Sequence, residues 1–233
     1  MEEFVFVDLF ATKGIEYIVV IGMLLLFVPF WIALNRVPRP AASSEVEIPS
    51  AATLSEWFSL PEQVYYHAGH TWARPEAGDT VRVGMDDFAK KMVGTISAVR
   101  APEVGAPLVQ GKEALTLEID SRKIDMLSPV DGEVLEVNQS VIDDPEKITA
   151  DPYGDAWLMK VRVPETRSNL NNLFSGDLAR RWMGQVTDDL RERAGMDALG
   201  TVYQDGGVPV QGMARGIDPQ NWDDIVRTFF KTA

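Results

Sequence analysis

Between Leu115 and Val137, hydrophobic and polar positions mark out three short strands joined by two reversals. Leu115, Leu117 and Ile119 alternate with Thr116, Glu118 and Asp120, the period of a half-buried strand. Asp120-Ser121-Arg122-Lys123 predicts a polar turn. Pro129 and the Asp131-Gly132 pair predict a second reversal, where glycine tolerates positive φ. Gly132 to Val137 is then strand again. Upstream, Val81-Arg82-Val83 reads as a strand, and Asp86 as the cap of a short helix from Asp87 to Val93 that ends at Gly94. Trp157, Met159, Val161 and Val163 alternate with Leu158, Lys160 and Arg162, which predicts a closing strand.

The flanks have other periods. Tyr17 to Leu34 contains no charged residue and, at 1.5 Å per residue, nearly crosses a hydrocarbon core of about 30 Å. Tyr17 and Trp31 sit near its ends, as interfacial aromatics do. A signal peptide would start basic and end in small residues, whereas this chain starts acidic. A single transmembrane helix over 15–35 is therefore expected, behind a lead of 1–14. Arg36 and Arg39 place the following domain on the cytoplasmic side of the cell's inner membrane. Residues 36–63, with three prolines between Asn35 and Thr53, read as a linker, with a short helical turn at Ser55 to Gln63. At the other end, Phe174, Leu178, Trp182, Val186 and Leu190 recur every four residues and predict an amphipathic helix ended by Gly195 or Gly200. Asp218 and Pro219 signal the start of a last helix with Trp222, Ile225, Val226, Phe229 and Phe230 on its apolar face.

The middle of the chain resembles the H protein of the glycine cleavage system, a relative of lipoyl and biotinyl carrier domains. His70-Thr71-Trp72, Val83-Gly84-Met85-Asp86-Asp87-Phe88-Ala89, Pro102-Glu103-Val104-Gly105 and Ser128-Pro129-Val130-Asp131-Gly132-Glu133-Val134 carry the resemblance. So do Asp151-Pro152-Tyr153-Gly154-Asp155-Ala156-Trp157-Leu158. It implies an α+β chain: a small flattened β-barrel or sandwich of the barrel-sandwich hybrid type over 64–164, its hairpin protruding at Ser121, followed by a helical extension over 165–233. In that family the hairpin tip carries a lysine that becomes lipoylated, three residues after a glutamate and eight before a proline. Counted from Glu118 and from Pro129, that position is Ser121, whose hydroxyl cannot form the lipoyl amide. Lys123 lies two residues further on and is the alternative attachment point.

Charge and composition remove several functions. With 22 basic against 35 acidic residues, the net charge of −13 argues against nucleic acid as a partner. The absence of cysteine excludes disulfides and cysteine-ligated metal centres. His67 and His70 are the only histidines and lack a third such ligand, so a structural role is expected and no metal site. Asp143, Asp144 and Asp151 lack the spacing of a calcium loop. Ser121 beside Lys123 at an exposed tip has no oxyanion donors, so no catalytic residue is assigned. Gly206-Gly207 is either a flexible turn or a partner-contact loop. Trp222, Phe229 and Phe230 are further partner-contact candidates, because aromatics are enriched at interfaces. The functional expectation is a non-enzymatic, cofactor-free accessory subunit of a membrane complex, most simply a respiratory or photosynthetic electron-transfer complex. Its partners would be the other subunits and the lipid bilayer around 15–35. The alternative is a membrane-tethered lipoyl or acyl carrier modified at Lys123.

Overall fold

The computed structural model describes residues 9–34, 57–202 and 210–232. The chain divides into two compact units, Met1–Ile48 and Pro49–Ala233. In the first, helix α1 runs over Leu9–Leu34. It begins upstream of the expected start at 15, since no proline interrupts the chain before Pro29, and Pro29 itself lies within the helix. The large apolar side chains from Tyr17 to Phe27, with Phe30 and Trp31, are exposed. Among the described residues no helix is long and apolar enough to cross a membrane. The described side chains make up only the middle of α1, so the expected span is not shown.

The second unit is built on two antiparallel sheets. Strands β1 (Tyr65–Tyr66), β2 (Thr71–Pro75), β3 (Thr80–Met85), β9 (Met159–Arg162), β8 (Gly132–Val137) and β5 (Pro107–Leu108) lie in that order in the larger one. Strands β4 (Ala98–Arg100), β6 (Glu113–Ile119) and β7 (Arg122–Leu127) form the smaller. Both sheets contribute to one core: Val81, Val83, Val134 and Val161 from the first, Leu117, Ile119, Ile124 and Met126 from the second. The alternation seen in the sequence is thus the alternation of burial along β6 and β7. Helix α2 (Asp87–Val93) starts and stops as expected: the Asp86 carboxylate accepts from the Ala89 amide, and Gly94 caps it at φ 76°. Gly132 is required by close approach, because a Cβ there would run into the Arg162 carbonyl oxygen and the Val161 side chain.

The hairpin turn is tighter than the sequence predicts. Ile119 pairs with Arg122, so only Asp120 and Ser121 form the loop, and Arg122 and Lys123 belong to β7. Both loop residues have positive φ, 47° and 68°. Two left-handed residues match the right-handed twist of a hairpin and close it without the extra pair. The predicted helical turn at 55–63 does not form within its described part, where Trp57 and Phe58 begin an irregular segment.

Short helices α3 (Gln139–Asp143), α4 (Lys147–Ala150) and α5 (Thr166–Asn171) bridge the closing strands and the extension. Helix α6 runs from Gly176 to Val202, through both glycines expected to end it. Its buried face is Ala179, Trp182, Met183, Val186 and Leu190, while Leu178 is exposed, because a four-residue repeat drifts around a helix of 3.6 residues per turn. Helix α7 (Met213–Ile217) lies between α6 and the last helix along the chain. The last helix, α8 (Trp222–Phe230), starts after the expected cap. The Asp218 carboxylate instead accepts from the Gln220 and Asn221 amides, a local turn that delays helix entry.

Candidate functional site

The hairpin of β6 and β7 is the place where the family resemblance puts its chemistry. Ser121 is at its tip and exposed. The left-handed conformation costs roughly 1–2 kcal/mol for each residue with a Cβ, and Asp120 and Ser121 both bear one. Lys123 is exposed on β7, directly across from Glu118. The Glu118 carboxylate is already engaged by the Arg100 guanidinium at 2.6 Å. That leaves the Lys123 amine without a hydrogen bond or ion pair among the described residues. Ser121 offers only a hydroxyl, and no general base lies within hydrogen-bond reach of it among the described residues.

One flank of the hairpin is held by the C-terminal helices. Arg215 of α7 forms an ion pair with Asp120. Arg122 forms one with Asp223 of α8, donates to the Gln220 carbonyl at 2.9 Å and lies over the Trp222 ring at 5.6 Å. Arg227 donates to the Lys123 carbonyl at 3.3 Å. Sequence reasoning missed these positioning groups. The partners stand 98 and 104 residues apart in the Arg122–Gln220 and Arg227–Lys123 contacts, and nothing local marks them.

The other candidates are structural. His70 Nδ1 meets the Asp86 carboxylate at 2.8 Å, with both side chains buried, and the ring stacks on Phe88 and lies against Trp182. His67 Nδ1 accepts from the Gly69 amide at 3.0 Å. Burial pushes the His67 imidazole below its ordinary pKa, and the neighbouring His70 adds to the shift. Burial likewise raises the Tyr153 phenol well above its usual range. That hydroxyl donates to the Ser59 carbonyl and accepts from the Asp87 amide. Among the described residues no group of three His, Asp or Glu side chains converges as a metal site would require. Asp143 and Asp151 accept from Gln139 and from the Gly154 amide, each within its own turn.

The aromatic residues expected to meet a partner are turned inward. Trp222, Phe229 and Phe230 are 4%, 5% and 0% exposed and belong to the domain's own core, so they do not form an open contact surface. Phe229 packs on Phe88, and Phe230 reaches His70. An apolar helical stripe reports that something covers it, not what. Gly206 and Gly207 lie outside the described residues.

Residues 64–185 match the family model of the glycine cleavage H-protein. The glycine cleavage system H protein of Marinobacter nauticus is 39% identical over 106 residues, 46% of this chain and 82% of that protein. That of Rubrobacter xylanophilus is 42% identical over 106 residues, covering 83% of its length. That of Mycobacterium avium is 39% identical over 129 residues, 55% of this chain and 98% of that protein. A crystal structure of a glycine cleavage system H protein from Mycobacterium marinum covers 55% of this chain and 99% of its own, at 30% identity and a TM-score of 0.47. These matches overturn the expectation of an accessory subunit in an electron-transfer complex, because the similar proteins are named for glycine cleavage. With its model matched over 64–185, more than half of the chain, and relatives covered almost end to end, this chain belongs to the glycine cleavage H-protein family.

Proposed function

We propose that this chain is a carrier protein of the glycine-cleavage type, with Lys123 as its lipoyl attachment residue and a degenerate serine at 121. It carries a group between catalysts and is not itself one. The observation that supports this reading is the exposed, unpartnered amine of Lys123 on the protruding hairpin. Ser121 does not fit the group, since a hydroxyl would give an ester in place of the amide. Lys123 supplies the missing nitrogen from two positions further on, about 7 Å back along the strand at the usual strand rise. Its own stem makes up much of that distance. A lipoyl group held there would contribute a disulfide on a long flexible arm.

Intact-mass analysis after co-expression with a lipoate ligase tests the assignment. One lipoyl increment is expected, lost in Lys123→Arg. An unmodified chain, beside an H protein that is modified in the same cells, would overturn it.

The reading includes an anchor. Helix α1 holds the carrier at the cytoplasmic face of the inner membrane through residues 15–35, and the exposed apolar side chains of its middle support this. Protease added to sealed right-side-out vesicles should leave the domain intact, and its digestion would reverse the orientation.

A further inference from the structure

The hairpin tip has an unfavourable composition and a well-made surrounding. Asp120 and Ser121 take the left-handed turn conformation without a glycine or asparagine between them. Such strain persists where neighbours over-determine it. Those neighbours are α7 and α8, which lie beyond the 64–185 match to the family. Arg215 and Trp222 form a second layer behind the ion pairs, the guanidinium 4.9 Å from the ring centroid. Asp223 binds Arg122 and also lies 3.8 Å from Arg227, and its side chain is only 15% exposed. An isolated surface pair is worth little, but here Asp120, Arg122 and Lys123, on both sides of the exposed Ser121, are all held by the same two helices.

We propose that α7 and α8 form a positioning collar for the hairpin, with Arg215, Asp223 and Arg227 fixing residues 120, 122 and 123 so that the Lys123 side chain projects from an immobile base. Rigidity there favours modification, because a ligase that reads the hairpin by shape meets one conformation rather than several. The collar also closes one flank, so a partner must reach Lys123 from the other. The Arg122 and Lys123 main chain is therefore ordered while the Lys123 amine stays in solvent. The role in presenting Lys123 rests on the carrier reading above. The ordering of the tip does not.

The test is amide hydrogen exchange by mass spectrometry on the full-length chain, produced without lipoate ligase so that modification plays no part. Asp223→Asn and Arg215→Gln are compared with the unaltered chain, peptides covering 118–125 are followed, and β3 serves as the internal reference. The expected result is at least tenfold faster exchange at the tip with β3 unchanged. The swap Arg122→Asp with Asp223→Arg should restore slow exchange at the tip. Tip exchange unaltered in both single variants would overturn the collar. So would faster exchange spread equally over β3 with no rescue by the swap, which would mean that the contacts serve global stability alone. A second readout is the initial rate of ligase-catalysed modification at Lys123, expected to fall in Asp223→Asn and recover in the swap. An absence of modification in every variant, the unaltered chain included, with tip exchange as expected, would remove the carrier reading and leave the collar standing.

Discussion

His67 is half-buried and its Nδ1 accepts the Gly69 amide, an acceptor that protonation would destroy. Its folded-state pKa is lowered from 6.5 by burial. Below pH 6.5 the unfolded chain therefore takes up a proton that the folded chain does not. Stability from this group is present above that pH and is lost as pH falls towards the depressed folded pKa. Thermal melts in this window should show Tm falling with pH, and His67→Asn, which keeps an acceptor but no titrating group, should flatten the slope. An unchanged slope would remove His67 as the cause. At Gly132 the Cβ of an alanine has no space against the Arg162 carbonyl, and overpacking of this kind costs about 1–3 kcal/mol. Gly132→Ala should lower the denaturant midpoint accordingly. Ser121→Lys, at the family's own position, should give a second modified site, read as a second mass increment. The glutamate and proline spacings alone make residue 121 legible. On the carrier reading, the serine at that position is the main chemical feature of the hairpin, and it was visible in the sequence. That Glu118 is already taken by Arg100, leaving Lys123 free, was not, because it depends on β4 lying beside β6.

At the scale of elements, the helix from Asp87 to Val93 and the strands around the hairpin were legible because each carries a local signal: a cap, a glycine stop, a two-residue period. Strands β1, β4 and β5 were not, having only two or three residues each, too few for any period to show. Helix α8 was legible as a helix, but the sequence does not say whether its own domain or a partner covers its apolar face. Its aromatic face closes over α2 and β7, so Trp222→Ala should destabilise the domain by roughly 3–5 kcal/mol, as expected for a buried indole. The measurable outcome is a Tm lowered by many degrees in the chain on its own, without any partner. A melt equal to that of the unaltered chain would mean that the face is not covered by this domain in solution.

At the scale of the molecule, the chain joins an apolar helix to a compact carrier-fold domain. The net charge of −13 argues against nucleic acid as a partner but does not say where the protein resides. The exposed middle of α1 is the physical problem that location must solve. Side chains such as Leu24, Leu25 and Leu26 are 54%, 70% and 76% exposed, and a helix apolar on every side cannot stay in water alone. A bilayer would cover all of its faces at once, whereas a docked protein would cover one. Placing lysine at the centre of a spanning helix costs about 2.5–3.5 kcal/mol per residue. Leu25→Lys combined with Ile21→Lys should therefore release the chain from membranes that resist alkaline washing, while the domain keeps its Tm. On liposome flotation the unaltered chain should rise with the lipid and the double variant should remain at the bottom. If both stay at the bottom, α1 is not a membrane anchor, and its apolar side chains must be covered by protein.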